Sequence, residues 1–321
     1  MLRPVEPVAD ERPPAVPPAG TKSALAFFAV LLALFPFALL AQWASAPLGL
    51  AATQLFAFLL PAVVATVGSN LSPRAYLRLR APGPAPVVLG ALAGGAAYLV
   101  AGAIMTATQR VLPESWVKLF DVARIFEGPS WERAALSALA VAVAPACEEL
   151  TFRGYLQSTL ALRRRPAGAI AAGAVLFAAL HLDPVRFPAL VALGLVFGWL
   201  TWRAGSIWPA VAAHAANNGI AMILLLTDGA PEGAPPPAGA VAAMLAFGVA
   251  SLAALGLAYR AATPRPPPAT DALVLRDPAS PAIAWHPSRV PPPLARAAVG
   301  GVAILLLLAV AGLAAGVSHG R

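Results

Sequence analysis

Three ionisable residues lie close together in an apolar stretch that is long enough to cross a bilayer as one helix, residues 134–161. Glu148, Glu149 and Arg153 each cost free energy in hydrocarbon, so their clustering indicates a site. Glu149 and Arg153 are four residues apart with the acid first, which predicts an ion pair within one helix. Glu148 points about 100° away from Glu149 around the helix and stays available for chemistry.

Two further apolar stretches carry polar residues of complementary types. His181 ends one stretch, and another contains His214 together with Asn217 and Asn218. His214 and Asn218 are four residues apart, so they share a helix face. A free carboxylate, two imidazoles and an amide are sufficient to activate water and to stabilise an oxyanion. Taken one at a time, the same histidines and asparagines also suit hydrogen bonds between helices.

These residues form three motifs in order along the chain. EExxxR spans Glu148 to Arg153, FxxxH spans residues 177–181, and HxxxN spans residues 214–218. In this order, on three separate predicted helices, the motifs resemble those of the CPBP family of intramembrane proteases, which includes type II CAAX prenyl endopeptidases and Abi relatives. The resemblance covers about residues 130–225.

The resemblance implies a role for each motif residue. Glu148 would act with His181 to activate the hydrolytic water. His214 and Asn218 would stabilise the tetrahedral oxyanion. Asn218 is preferred to Asn217 because the HxxxN motif requires a spacing of four residues.

The resemblance leaves two alternatives for a metal. Glu148, His181 and His214 would form a three-ligand zinc site with a position open for water. Without zinc, the same groups serve as general base and oxyanion hole, and the chain has no HExxH pair of metal ligands on one helix. In both alternatives Glu149 and Arg153 would hold the site in shape.

The composition excludes several classes of protein. Charged residues make up 11% of the 321 residues, against about 25% in soluble globular domains. The single cysteine, Cys147, excludes a secreted disulfide scaffold. The net charge of +8 comes from basic residues between the apolar stretches, which indicates membrane topology rather than binding of nucleic acid.

Apolar stretches of about 20 residues predict transmembrane helices. The predicted fold class is all-α: a polytopic transmembrane helix bundle with an eight-helix body and one appended C-terminal helix. The nine predicted helices are 23–43, 48–68, 85–107, 134–161, 167–182, 187–202, 206–226, 239–259 and 297–317.

Proline-rich segments divide the chain, because proline cannot continue a helix and these segments lack the apolar surface for a core. The predicted divisions are a cytoplasmic tail at 1–22, a transmembrane body at 23–262, a linker at 263–295, and an additional helix with its tail at 296–321. The segment 113–127 is predicted to be either an amphipathic helix at the membrane interface or a loop packed on the bundle.

Basic residues predict the orientation. Most of the 22 lysines and arginines lie on the cytoplasmic side if the N-terminus is cytoplasmic. Only Lys22 and Lys118 are lysines, and this usage, with many Ala and Pro residues, is typical of a GC-rich bacterial genome. We therefore expect a multi-pass integral protein of a bacterial plasma membrane. Asp183 and Arg186 are interpreted as ordinary loop charges.

The sequence therefore predicts an intramembrane endopeptidase whose substrate is a membrane-associated protein or peptide, with CAAX-type C-terminal processing implied by the resemblance. Two alternatives remain. One is a non-catalytic immunity or scaffold protein of the same fold. The other is a proton-coupled transporter, which requires polar residues at several depths and is commonly built on an inverted repeat. Neither of those two features is evident in the sequence.

Overall fold

The computed structural model describes residues 20–69, 71–228 and 236–263. Within these ranges the chain is all-α, without strands, as predicted. Residues 1–19, most of the predicted linker and the predicted helix at 297–317 lie outside the described residues. The eight long helices are α1 (Thr21–Ala44), α2 (Ala46–Gly68), α3 (Pro84–Val111), α4 (Ser130–Ala161), α5 (Pro166–Leu180), α6 (Phe187–Ala204), α7 (Trp208–Asp228) and α8 (Ala238–Ala262).

All of these helices except α5 are long and apolar enough to cross a membrane. Helix α5 has 15 residues and is therefore about 22 Å long, shorter than a hydrocarbon core of about 30 Å. His181 follows its last residue, so this side chain lies at the end of a helix that does not cross the bilayer alone. The chain is a multi-pass membrane protein.

Helix α3 packs closely against α7 because glycine lies at the contact. A Cβ added to Gly90 would overlap the carbonyl oxygen of Pro209, and a Cβ added to Gly94 would overlap that of Ala213. The same order of contacts along both helices shows that α3 and α7 run parallel. Small residues allow such close approach where helices cannot gain free energy by burying apolar surface from water.

Helix α4 contains two π-helical segments, Leu139–Val143 and Leu150–Leu156, on either side of a short α-helical segment, Ala144–Glu149. In the first, the N–H of Ala144 donates to the carbonyl oxygen of Leu139, five residues earlier. Pro145 has no N–H with which to continue this pattern. The two acids therefore lie at the end of an α-helical turn between two wider turns, a geometry that is common at functional sites.

The connection between α2 and α3 is fixed to the second half of α4. Arg78 is buried, and its Nε donates to Ser158 Oγ at 3.1 Å. The hydroxyl groups of Tyr76 and Thr159 are hydrogen-bonded at 2.7 Å. These bonds satisfy polar groups that are buried between the helices, so they hold α4 in register with the start of α3.

The connection between α3 and α4 consists of a short α-helix, Glu114–Leu119, and a 3-10 helix, Val122–Phe126. No residue of either is fully buried. The segment covers one end of the bundle, where Val122 contributes to the cavity described below.

We predict that Gly94→Ala lowers the free energy of unfolding by about 1–3 kcal/mol, because the added methyl group has no space beside Ala213. The matched control is Gly95→Ala, where the nearest atom is Ile220 Cδ1 at 3.6 Å. This control gains helix propensity and should leave stability unchanged or slightly increased. Thermal unfolding in detergent measures both, and equal melting temperatures for the two variants would contradict the close packing of α3 on α7.

Candidate active site

A buried network joins Glu149, Arg153 and His214. Arg153 Nη1 donates to Glu149 Oε1 at 2.8 Å, which is the ion pair that the spacing predicts. His214 Nδ1 lies 2.9 Å from the same oxygen. Glu149 and Arg153 are 0% and 1% exposed, and His214 is also buried. One carboxylate oxygen therefore connects α4 to the histidine of α7.

Aromatic rings surround the guanidinium of Arg153. Its Cζ lies 4.5 Å from the ring centroid of Phe177 on α5 and 5.4 Å from that of Phe197 on α6. Its Nη2 donates to the carbonyl oxygen of Gly194 at 3.3 Å. A buried guanidinium is stabilised by the negative faces of aromatic rings and by carbonyl dipoles. Arg153 thus connects α4, α5 and α6 at one point.

Glu148 has different neighbours from Glu149. Gln54 Nε2, on a π-helical segment of α2, donates to Glu148 Oε1 at 3.0 Å. The other carboxylate oxygen, Oε2, lies 3.9 Å from His214 Nε2, too far for a direct hydrogen bond. The adjacent acids therefore have separate partners, as predicted. Glu149 is paired with Arg153, and Glu148 is bonded to Gln54.

Both histidines have one ring nitrogen fixed by a hydrogen bond. His181 Nδ1 lies 2.9 Å from the carbonyl oxygen of Phe177, so Nδ1 carries the proton and donates it. In His214, Nδ1 donates to Glu149 in the same way. The Nε2 atom of each ring is the one left for chemistry, because a hydrogen bond at one nitrogen sets the role of the other.

The two asparagines of α7 are connected to each other and to α4. Asn217 Nδ2 donates to Asn218 Oδ1 at 3.1 Å, and Asn218 Nδ2 donates to the carbonyl oxygen of Ala140 at 2.9 Å. Ala140 lies five residues before Pro145, which cannot donate to it. Asn218 therefore satisfies a carbonyl group next to the irregular part of α4, and its second amide N–H is left for another acceptor.

These side chains line one cavity of about 360 Å³. It lies between α3, α4, α5, α6 and α7, at the end of the bundle that the connection between α3 and α4 covers. The structure brings Glu148, His181, His214 and Asn218 together around it, while Glu149 and Arg153 lie behind its wall. The charged and amide side chains of the lining, with its two histidines, are Glu148, His181, Arg186, His214, Asn217 and Asn218.

The predicted zinc ligands are not arranged as a metal site. Within the three described ranges, no group of three or more His, Cys, Asp or Glu side chains is arranged to hold a metal ion. Glu148, His181 and His214 share a cavity but do not form such a ligand set. They do not fit zinc as they are arranged here.

Comparison with known proteins gives one family match. Residues 130–220 match the model described as type II CAAX prenyl endopeptidase Rce1-like. This match supports a CPBP-family protease. The match includes α4, α5, α6 and the part of α7 that carries His214 and Asn218, so it covers every helix of the three motifs. Neither the curated proteins nor the solved structures gave a match.

Sequence reasoning missed two residues of the candidate site. Gln54 is a single amide in an apolar helix, and no motif connects it to Glu148, which is 94 residues away. Arg186 was interpreted as an ordinary loop charge, but it lines the cavity. Its partner Asp183 is only 5% exposed, so that interpretation was wrong for both residues. Arg186 follows the motif residue His181 by only five residues, and this closeness in the sequence could have indicated that it lies near the site.

We predict that the two adjacent acids differ in their effect on stability. Glu149→Gln leaves the buried guanidinium of Arg153 without its counter-charge, which costs about 3–5 kcal/mol and lowers the melting temperature by about 10 °C. Glu148→Gln keeps a partner for Gln54 and should cost less than about 1 kcal/mol. Thermal unfolding of both variants in the same detergent checks this order, and a larger loss for Glu148→Gln would reverse the assignment.

Proposed function

We propose that the chain is an intramembrane endopeptidase in which Glu148 and His181 activate a water molecule for attack on a peptide bond. One observation carries the proposal: the motif residues Glu148, His181, His214 and Asn218 line a single cavity within the helix bundle. The match to CAAX-type endopeptidases over residues 130–220 supports the same reaction.

Glu148 is suited to act as general base. Gln54 holds one of its carboxylate oxygens, which leaves Oε2 for the water molecule. As the water oxygen attacks the carbonyl carbon, the water gives a proton to Glu148. His181 assists by helping to hold the water molecule. The same proton is then given to the amine that leaves when the C–N bond breaks. Glu148 thus acts first as a base and then as an acid, and it ends the cycle as a carboxylate.

His214 and Asn218 are suited to stabilise the oxyanion of the tetrahedral intermediate. Glu149 accepts from His214 Nδ1 and so orients the ring, and an N–H at Nε2 would donate to the developing charge. The second N–H of the Asn218 amide adds another donor. Such donors are effective because they are fixed before the reaction and lie in a site that excludes most water.

The proposed substrate is a membrane-associated protein or peptide that is cleaved by CAAX-type C-terminal processing. The proposed location is a bacterial plasma membrane with the N-terminus in the cytoplasm, on the basis of the distribution of lysine and arginine between the connections.

We predict that Glu148→Gln lowers peptide cleavage by about 100- to 10,000-fold with little change in stability, because it removes the general base. The assay uses purified protein in liposomes and quenched-fluorescent peptides that end in a Cys-aliphatic-aliphatic-X sequence, with and without a farnesyl group. The control is Glu114→Gln, an acid that is exposed in the connection between α3 and α4. Wild-type protein that cleaves neither peptide, or full activity in Glu148→Gln, would contradict the proposal.

We predict that Gln54→Leu lowers kcat by about tenfold or more, because it removes a hydrogen bond to a charged group that orients the base. KM should change little, since Gln54 contacts Glu148 and is not part of the cavity lining. The matched control is Gln157→Leu, which removes another buried glutamine, bonded to the carbonyl oxygen of Gly198 instead. Equal losses of kcat in the two variants would show that Gln54 supports only folding.

A further inference from the structure

The turn between α5 and α6 places a guanidinium in the cavity. Arg186 precedes the first residue of α6, and its side chain lines the same cavity as Glu148, His181 and His214. Among the lining residues in the described part of the chain, Arg186 is the only lysine or arginine. The cavity therefore contains a fixed positive charge as well as the acid and the two histidines.

Asp183 holds this guanidinium from behind. Its Oδ1 accepts from the backbone N–H groups of Val185 and Arg186 at 2.9 and 3.0 Å. Its Oδ2 accepts from Arg186 Nε at 2.5 Å. Asp183 is 5% exposed, so the carboxylate is desolvated and its bonds to Arg186 are charge-assisted. The arginine is thus oriented before any ligand enters.

The turn contains a strained backbone conformation, which the hydrogen bonds of Asp183 help to maintain. Leu182 has φ = 51°, in the left-handed region that residues other than glycine rarely adopt. Strain of this kind persists where surrounding bonds over-determine the conformation, and it is concentrated at functional sites. Leu182 lies between His181 and Asp183, so the same turn fixes the position of the histidine relative to that of Arg186.

The far end of the guanidinium has no hydrogen-bond partner among the described residues. The side-chain bond of Arg186 to Asp183 uses Nε. Its Nη1 and Nη2 atoms make no hydrogen bond to any of the residues that the structure describes. Glu148 is not their partner, since Gln54 and His214 are its neighbours. A fork of two N–H donors that is held through Nε and faces a cavity has the geometry that binds a carboxylate in a bidentate manner.

We propose that Arg186 binds the C-terminal carboxylate of the peptide substrate and so directs cleavage to the end of a chain. The inference rests on the proposed endopeptidase function and adds a specificity-determining residue to it. Three extended residues reach about 10 Å at most, so a carboxylate held at Arg186 restricts the bond near Glu148 to the last few positions of the substrate. An amidated or internal segment would leave Nη1 and Nη2 without a carboxylate to accept their hydrogen bonds.

The experiment compares two quenched-fluorescent peptides of the same Cys-aliphatic-aliphatic-X sequence, one with a free C-terminal carboxylate and one with a carboxamide. Purified full-length protein in liposomes cleaves them, and the ratio of kcat/KM for the two is measured. We expect the wild type to prefer the carboxylate by about 10- to 100-fold, in line with the free energy of hydrogen bonds to charged groups. In Arg186→Gln the ratio falls to about one, because kcat/KM for the carboxylate peptide falls to the value for the carboxamide peptide.

Three variants separate recognition from folding. Arg186→Lys keeps the charge without the fork and should retain part of the preference. Asp183→Asn disturbs the turn but keeps the guanidinium, so a reduced preference for the carboxylate is expected. Arg203→Gln, at the other end of α6, should keep the wild-type ratio.

The outcomes are distinguishable. A wild-type enzyme that cleaves both peptides equally would overturn the role of Arg186 and leave the proposed peptidase intact. If Arg186→Gln lowered kcat/KM for both peptides by the same factor, Arg186 would have only a structural role and the proposed recognition would be wrong. Cleavage of neither peptide by the wild type would overturn both proposals.

Discussion

The buried ion pair between Glu149 and Arg153 is the constraint on which the site depends. A guanidinium that is removed from both water and lipid headgroups needs a counter-charge, and Glu149 supplies it from the preceding turn of α4. The remaining donors and the face of the guanidinium require further partners, which come from a carbonyl group of α6 and from rings on α5 and α6. Satisfying one arginine therefore brings together three helices, and the histidine of α7 joins them through the shared carboxylate oxygen.

The two adjacent acids show how helical geometry separates structural and chemical roles. Successive residues point about 100° apart, so the two neighbouring carboxylates have different surroundings, although each approaches a different nitrogen of His214. Glu149 is fully enclosed and bonded to Arg153 and His214, whereas Glu148 reaches the cavity wall with one oxygen held by an amide. A single acid could not both neutralise Arg153 and face the cavity.

Most of the fold and part of the site could be predicted from the sequence. Apolar length gave the helices, and the spacing of Glu149 and Arg153 gave their ion pair, because both depend only on local geometry. The hydrogen bond of Gln54 to Glu148 could not be predicted, because a single amide in an apolar helix carries no sign of which side it faces. The interaction between Asn218 and Ala140 depends on the irregular turns before Pro145, and such turns have no period in a sequence.

The enclosure of Glu148, His181, His214 and Asn218 among five helices limits the conformation of any substrate that reaches them. In an intact transmembrane helix each peptide group is hydrogen-bonded to its own chain and covered by side chains, within a cylinder about 10–12 Å wide. A peptide bond of such a helix is therefore shielded from groups on the cavity wall. In hydrocarbon, breaking those bonds is costly, so a segment that is already unwound, such as a frayed chain terminus, enters at a lower cost. A peptidase built in this way would distinguish polypeptides by how readily they unravel, before it reads any side chain.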